Sequence, residues 1–158
     1  MITVRPAKES DIIALAPIQL EVHAVHTSAF PWRYKELTSE TLNGYVQFHL
    51  SNPESRVFVA QVDKSIVGYA VIATKKYSEN DFLKPYECAN LDQLAVLSSA
   101  QRKGIGAALL AACKDALPTL NQKRLELDVW NFSGNAADFF ISQGFSAFNT
   151  KMSLVLDG

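Results

Sequence analysis

The stretch Gln101-Arg102-Lys103-Gly104-Ile105-Gly106 has the residue types and spacing of an anion cradle. A basic, glycine-bearing turn that opens a helix points several backbone N–H groups at one spot, beside the positive end of the helix dipole, and phosphate or pyrophosphate is the ligand that suits it. Gly104 and Gly106 carry no Cβ to hold an anion away from the main chain. Arg102 and Lys103 add charge, although a merely solvated turn would carry the same residues. The expected ligand is therefore a phosphate-bearing nucleotide cofactor. Among acids, Asp92 stands in an apolar run, whereas Glu126 and Asp128 fall on the polar side of an alternating segment. His23 and His26 lie three apart on one helix face, and His49 stands alone. With no third ligand near the histidine pair and no CxxC or Cys/His cluster, no metal is expected. The loop Phe30–Tyr34 is aromatic and basic; with His26 beside them, Trp32 and Tyr34 are candidates for a substrate-facing wall or lid, packing of Phe30 and Trp32 onto a sheet being the alternative.

The elements around these residues follow from periodicity. Ile2–Arg5 reads as a strand stopped by Pro6, and Ser10 as the N-cap of a helix through Ile12, Leu15 and Ile18 that Pro17 should break or kink after about two turns. A further helical stretch carries Leu20, Val22, Val25 and His26. Ser39 is expected to cap a second helix through Leu42, Tyr45, Val46 and His49, ended by Asn52-Pro53. Arg56–Val62 and Ser65–Thr74 form a hairpin around Asp63-Lys64, with Gly68 marking a bulge or a close approach. Lys75–Tyr86 reads as a polar loop, Asn90–Leu97 as a strand, Gly104–Leu117 as a helix, Arg124–Trp130 as an alternating strand, Ser133–Gln143 as a helix stopped by Gly144, and Ser146–Leu156 as a final strand. Strand–helix alternation in the second half implies parallel pairing there.

The bulk numbers narrow the class. The chain has 158 residues, 48% of them hydrophobic, which suits one domain, 1–158, with a core that needs no disulfide. Cys113, on the apolar face of a helix, reads as buried and inert; Cys88 lies near a strand start. A net charge of −1 argues against a nucleic-acid surface. Neither a signal peptide nor a run long enough to span a membrane is visible, so the expected location is cytoplasmic and no membrane partner is expected.

A Walker loop does not match, since no Lys-Ser or Lys-Thr follows the second glycine at the required spacing. A dinucleotide fingerprint comes closer through Gly104-Ile105-Gly106 and Asp128, but its third glycine position is Leu109 and too little chain follows. The whole chain resembles the GNAT superfamily of N-acetyltransferases. Leu94-Ala95-Val96 followed by Gln101 to Gly106 is similar to that family's L-x-V and Q/R-x-x-G-x-G/A elements. Trp130-Asn131, Asn135-Ala136, Phe139-Phe140 and Gly144-Phe145 follow its later run. Val4-Arg5-Pro6-Ala7 with Asp11 and Val67-Gly68-Tyr69 resemble its opening and its hairpin.

The resemblance implies a mixed α/β fold: a central sheet of six to seven strands, splayed between the fourth and fifth, with about four helices. It implies acetyl-CoA as co-substrate, no metal, and direct acetyl transfer to a primary amine of a small molecule or peptide. The pyrophosphate would sit on the N–H groups of Arg102 to Ala107, including those of Lys103, Gly104, Ile105 and Gly106, next to Gln101. The pantetheine arm would pair with the main chain of Leu94, Ala95 and Val96, the Val96 N–H serving the thioester carbonyl. Asn131, Asn135 and Phe140 match positions near the thioester end. Asp92 is the candidate base, directly or through water, on the face of Leu94 if the strand is regular. Many members place a tyrosine acid where this chain has Phe140. The thiolate then leaves unaided or takes its proton from water, or Tyr34, Tyr77 or Tyr86 supplies it. Phe140 also motivates the alternative of a non-catalytic acyl-CoA-binding or sensing module. A homodimer through an exposed final strand is a further expectation.

Overall fold

The computed structural model describes residues 1–131 and 136–157 and divides into two compact units, Met1–Leu127 and Asp128–Gly158. In the first, the order is β1 (Ile2–Pro6), α1 (Ile12–Ala29), α2 (Ser39–Ser51), β2 (Ser55–Val62), β3 (Ser65–Tyr77), β4 (Tyr86–Val96), α3 (Ile105–Ala116) and β5 (Leu125–Glu126). The fold is the expected mixed α/β type, but the described residues form a sheet of five strands rather than six to seven. The strands lie in sequence order, antiparallel from β1 to β4, with β5 parallel to β4.

Strand alternation sends Val57, Val59, Tyr69, Val71 and Ala95 to one face, where they pack with Leu15 and Ile18 of α1 and Val46 of α2. The fully buried Ile105, Leu109 and Leu110 of α3 contribute about 2 kcal/mol each relative to exposure. They cover the opposite face, where Gly68 is required for close approach: a Cβ there would meet the Ala95 carbonyl oxygen at 2.9 Å and Leu109 Cδ1 at 3.3 Å. The register also slips beside Gly68, leaving Val67 as an extra residue, so the glycine marks both a bulge and a contact. Asp63 and Lys64 both take positive φ in the hairpin turn.

Several local expectations change. Ser10 caps nothing. Asp11 instead accepts from the Lys8 N–H (2.9 Å) and, through both oxygens, from the Arg5 guanidinium (2.8 and 2.9 Å), which pins β1 to the start of α1. Pro17 sits inside an unbroken α1, because its ring is exposed and the carbonyl it leaves without an N–H belongs to Ile13, itself exposed where water can take the bond. Thr38, not Ser39, caps α2 by accepting from the Thr41 N–H. The segment read as a polar loop from Lys75 to Tyr86 is a loop over 78–85, while its ends belong to the β3–β4 hairpin, which closes at the pair Tyr77 and Tyr86, whose rings lie 5.7 Å apart. Cys88 and Cys113 are both free and buried, and burial pushes the Cys113 thiol up to about 12.

The expected strand Arg124–Trp130 pairs only at Leu125 and Glu126, opposite Ala89 and Asn90. The next pair along β4 carries a bulge: Ile72 faces Leu91 and Val71 faces Gln93, so Asp92 is the extra residue. A bulge bends its strand, and β5 pairing stops where the bend begins.

The second unit contains α4 (Ala136–Ser142). Gly144, at φ +95°, ends it as expected: its N–H donates to the Ile141 carbonyl and the Phe145 N–H to that of Phe140. The strand expected at Ser146–Leu156 is irregular. Phe148, Met152 and Leu154 are exposed there, so the alternating pattern buries no face that would hold a strand. Among the described residues no helix is long and apolar enough to cross a membrane.

Candidate active site

The turn between β4 and α3 combines three features. Gly104 precedes the first residue of α3 at φ +83°, and nothing lies within 4 Å of where its Cβ would stand. Arg102 also takes positive φ (60°). The Ala108 N–H donates to the Gly104 carbonyl at 3.0 Å. The N–H groups of Ile105, Gly106 and Ala107 come before that first helical bond and project from the helix start, beside the positive end of its dipole. Arg102 and Lys103 are exposed around them. Ile105 is buried; Gly106 and Ala107 are half-buried. The Gln101 side chain turns back to donate to the Val96 carbonyl (3.0 Å), and Lys103 Nζ donates to that of Ser99 (3.2 Å), so both brace the turn. Hydrogen bonds from the Ser98 side chain and from its N–H (2.7 Å) hold the Glu21 carboxyl of α1 below its ordinary value and tie α1 to the same connection.

The end of β4 presents main chain on one side. The Leu97 N–H donates to the Val67 carbonyl, so Val67 and Leu97 form a hydrogen-bonded pair and Gly68 and Val96 a non-hydrogen-bonded one. The N–H and C=O groups of Leu94 and Val96 therefore face away from β3, towards the edge that β5 has left after Asn90. Ala95 is buried against the helices; Leu94 and Val96 are half-buried. The residues present fit a phosphate-bearing ligand with an extended arm: open donors at a helix start, basic side chains beside them, and a strand edge with main-chain groups to offer. Two grooves of about 320 and 420 Å³ elsewhere, both touching Pro6 and Arg56, are lined by none of these residues.

The bulge reverses the expected direction of Asp92. In a regular strand it would share a face with Leu94. As the extra residue it shares the face of Gln93 and Ala95, under α1 and α2. There it accepts from Asn90 Nδ2, and His49 Nε2 lies 3.7 Å from its Oδ2. His49 is 6% exposed, and its Nδ1 is 2.8 Å from the Oγ of Ser55, itself 4% exposed. Burial holds the imidazole below its ordinary value, with the Asp92 charge opposing that shift. The Tyr45 ring packs edge-on against His49 at 4.6 Å. Its buried hydroxyl has no hydrogen-bond partner among the described residues, and burial followed by the Asp92 charge makes the phenol harder to ionise.

Trp32 is 75% exposed rather than packed on the sheet. Tyr34 lies against His23 and His26, with ring centroids at 5.6 and 5.2 Å. Tyr86 bonds Glu126 and pairs with Tyr77. Phe140 packs with Phe139 and Phe145 within the second unit, where Asn131 is exposed. Asn135 and the expected helix start at Ser133 lie outside the described residues. Among those described, no three His, Cys, Asp or Glu side chains converge as metal ligands. Ser55, Tyr45 and Asn90 escape the sequence reading; the only available signal was His49 six residues before a serine across a helix end.

A model of the acetyltransferase (GNAT) family matches residues 20–145. Among solved structures, a point mutant of a Bacillus halodurans protein superposes with a TM-score of 0.87 at 22% identity, covering 98% of this chain and 99% of that one. A predicted acetyltransferase of Clostridium acetobutylicum, solved with acetyl-CoA, gives 0.74 at 17% identity over 98% and 96%. A ribosomal-protein-alanine N-acetyltransferase of Brucella melitensis gives 0.63 at 16% over the full length of both. At these identities the likeness is one of fold. Comparison with curated proteins gives no match.

Proposed function

The chain belongs to the acetyltransferase (GNAT) family, and from that premise we propose that it moves an acetyl group from acetyl-CoA to a primary amine of a small molecule or peptide. One observation carries the reading: a left-handed Gly104 opens α3 so that the N–H groups of Ile105, Gly106 and Ala107 project beside the exposed Arg102 and Lys103. The choice of acyl donor is further supported by the Clostridium protein solved with acetyl-CoA.

When bound, acetyl-CoA supplies an activated acetyl thioester. The residues of the turn would hold its diphosphate, and the main chain of Leu94 and Val96 its extended arm. The Val96 N–H, facing the open edge of β4, donates to an oxygen on which negative charge builds, a contribution of roughly 3 kcal/mol for a well-aimed donor. Asp92 takes up the proton of the acceptor ammonium on its carboxylate. That step matters because an alkyl ammonium with a pKa of about 10 is only about one part in a thousand free base at neutral pH. Asp92 stands exposed at the bulge, within the same strand as Val96, and this shared element supports the reading of the one as base and the other as carbonyl donor.

A second reading, a non-catalytic acyl-CoA-binding module, draws on Phe140, which lacks the hydroxyl to protonate a thiolate. One experiment separates them. Acetyl-CoA is expected to raise the melting temperature, and an amine panel to release free thiol from it in an amine-dependent way. Stabilisation without turnover selects the second reading; neither effect overturns both.

A further inference from the structure

We propose that Ser55 and His49 form a buried brace that aims the Asp92 carboxylate, which makes His49 a positioning residue for acetyl transfer. The inference rests on the reading in which Asp92 takes the proton of the acceptor amine.

Three elements meet at this point. His49 comes from the last turn of α2, Ser55 from the first residue of β2, Asp92 from the bulge of β4, and Tyr45 lies one helical turn before His49. The Ser55 hydroxyl, 2.8 Å from Nδ1, fixes the plane of the ring. Asp92 is the charged group facing the ring. Arg56, next to Ser55, is turned to the carbonyls of Pro53, Ser55 and Thr119 and to the Thr119 hydroxyl. An anion opposite Nε2 requires a proton there, so Nδ1 is the acceptor and Ser55 the donor. Nε2–H then points at Asp92 Oδ2 across 3.7 Å, a gap of the kind that closes when a ligand is bound. Asn90 holds the other oxygen. Asn90 already fixes one oxygen, and once the 3.7 Å gap closes the two donors would together set the carboxylate plane on a strand whose bulge alone would leave it free to rotate.

Ser, His and Asp in a row also serve nucleophilic hydrolysis. Here the Ser55 hydroxyl is buried and its N–H is committed to the Asn52 carbonyl (3.0 Å), which removes the nearest donor for an oxyanion. The arrangement suits anchoring.

In the active protein, Ser55→Ala is expected to lower kcat on the order of 10- to 100-fold through misplacement of the base, with the KM for acetyl-CoA unchanged. Ser55→Thr, which returns the hydroxyl, is expected to recover most of the loss. Full kcat in Ser55→Ala, or no recovery in Ser55→Thr, overturns the brace. The ring is read independently by nitrogen NMR of the unaltered protein: the proton is expected on Nε2, and Asp92→Asn is expected to move the His49 titration to lower pH. A proton on Nδ1, or a titration indifferent to Asp92→Asn, overturns it as well. Absence of turnover with every amine would bring down the acetyl-transfer reading, and the ring spectra would still decide whether the brace exists.

Discussion

At the start of α3 the groups offered to a ligand are main-chain N–H donors held by a short contiguous stretch, Gly104 to Ala107. Beneath the bulge of β4 they are side chains of Tyr45, His49, Ser55, Asn90 and Asp92, drawn from three elements and brought together by the fold. The first region depends on backbone conformation, which few substitutions other than those at glycine can disturb. The second depends on side-chain identity and rotation, and every member can be changed one at a time. Binding and chemistry should therefore fail separately.

The sharpest separation is expected from Asp92→Asn, which removes the base. Its kcat should fall about 100- to 10,000-fold while acetyl-CoA affinity, measured by calorimetry, stays within twofold of about the original value. A parallel loss of affinity would merge the two regions into one.

Gly104→Val should do the reverse. A β-branched residue at φ +83° strains the turn by about 1–2 kcal/mol, and its side chain enters the space in front of the helix start. Acetyl-CoA affinity is expected to fall roughly 100-fold, the worth of two charge-assisted hydrogen bonds at about 1.5 kcal/mol each. The Ser55–His49 geometry, read by NMR, should be unmoved.

Arg5→Ala is the control that touches neither region. It leaves the Asp11 carboxylate buried without its bidentate partner and should cost roughly 3 kcal/mol of stability in denaturant unfolding, with kcat retained for the folded fraction.

The smallest effect is one of pH. The neutral His49 is held below its ordinary value of 6.5 and Asp11 below its ordinary 3.8. In both cases the unfolded chain binds the proton more readily. Their stabilisation is thus fully present above the ordinary values and lost as pH falls through the folded ones. Melting temperature should begin to drop below about 6.5 and drop again below about 3.8. Asp11→Asn should remove the second step, and a variant lacking His49 the first.

The contrast also accounts for what could be read from the sequence. Gly104, Gly106 and Gln101 announce the turn because strand, glycine spacing and helix are adjacent in the chain, and the family resemblance adds the meaning. The antiparallel hairpin at Asp63-Lys64 and the glycine stop at Gly144 are local in the same way. Pro17 misleads because only tertiary exposure shows that water can take the orphaned Ile13 carbonyl. The direction of Asp92 misleads because one extra residue in β4 exchanges the faces of the strand, and no residue type there signals it. Ser55 has no chemical signature at all until α2 lays His49 against it.

Backbone amide NMR reads whether the start of α3 holds the diphosphate of acetyl-CoA. On titration with acetyl-CoA, the largest shifts are predicted at the amides of Gly104, Ile105, Gly106 and Ala107, with Val96 following. Saturable binding that leaves those amides unmoved, and shifts others instead, would contradict the account.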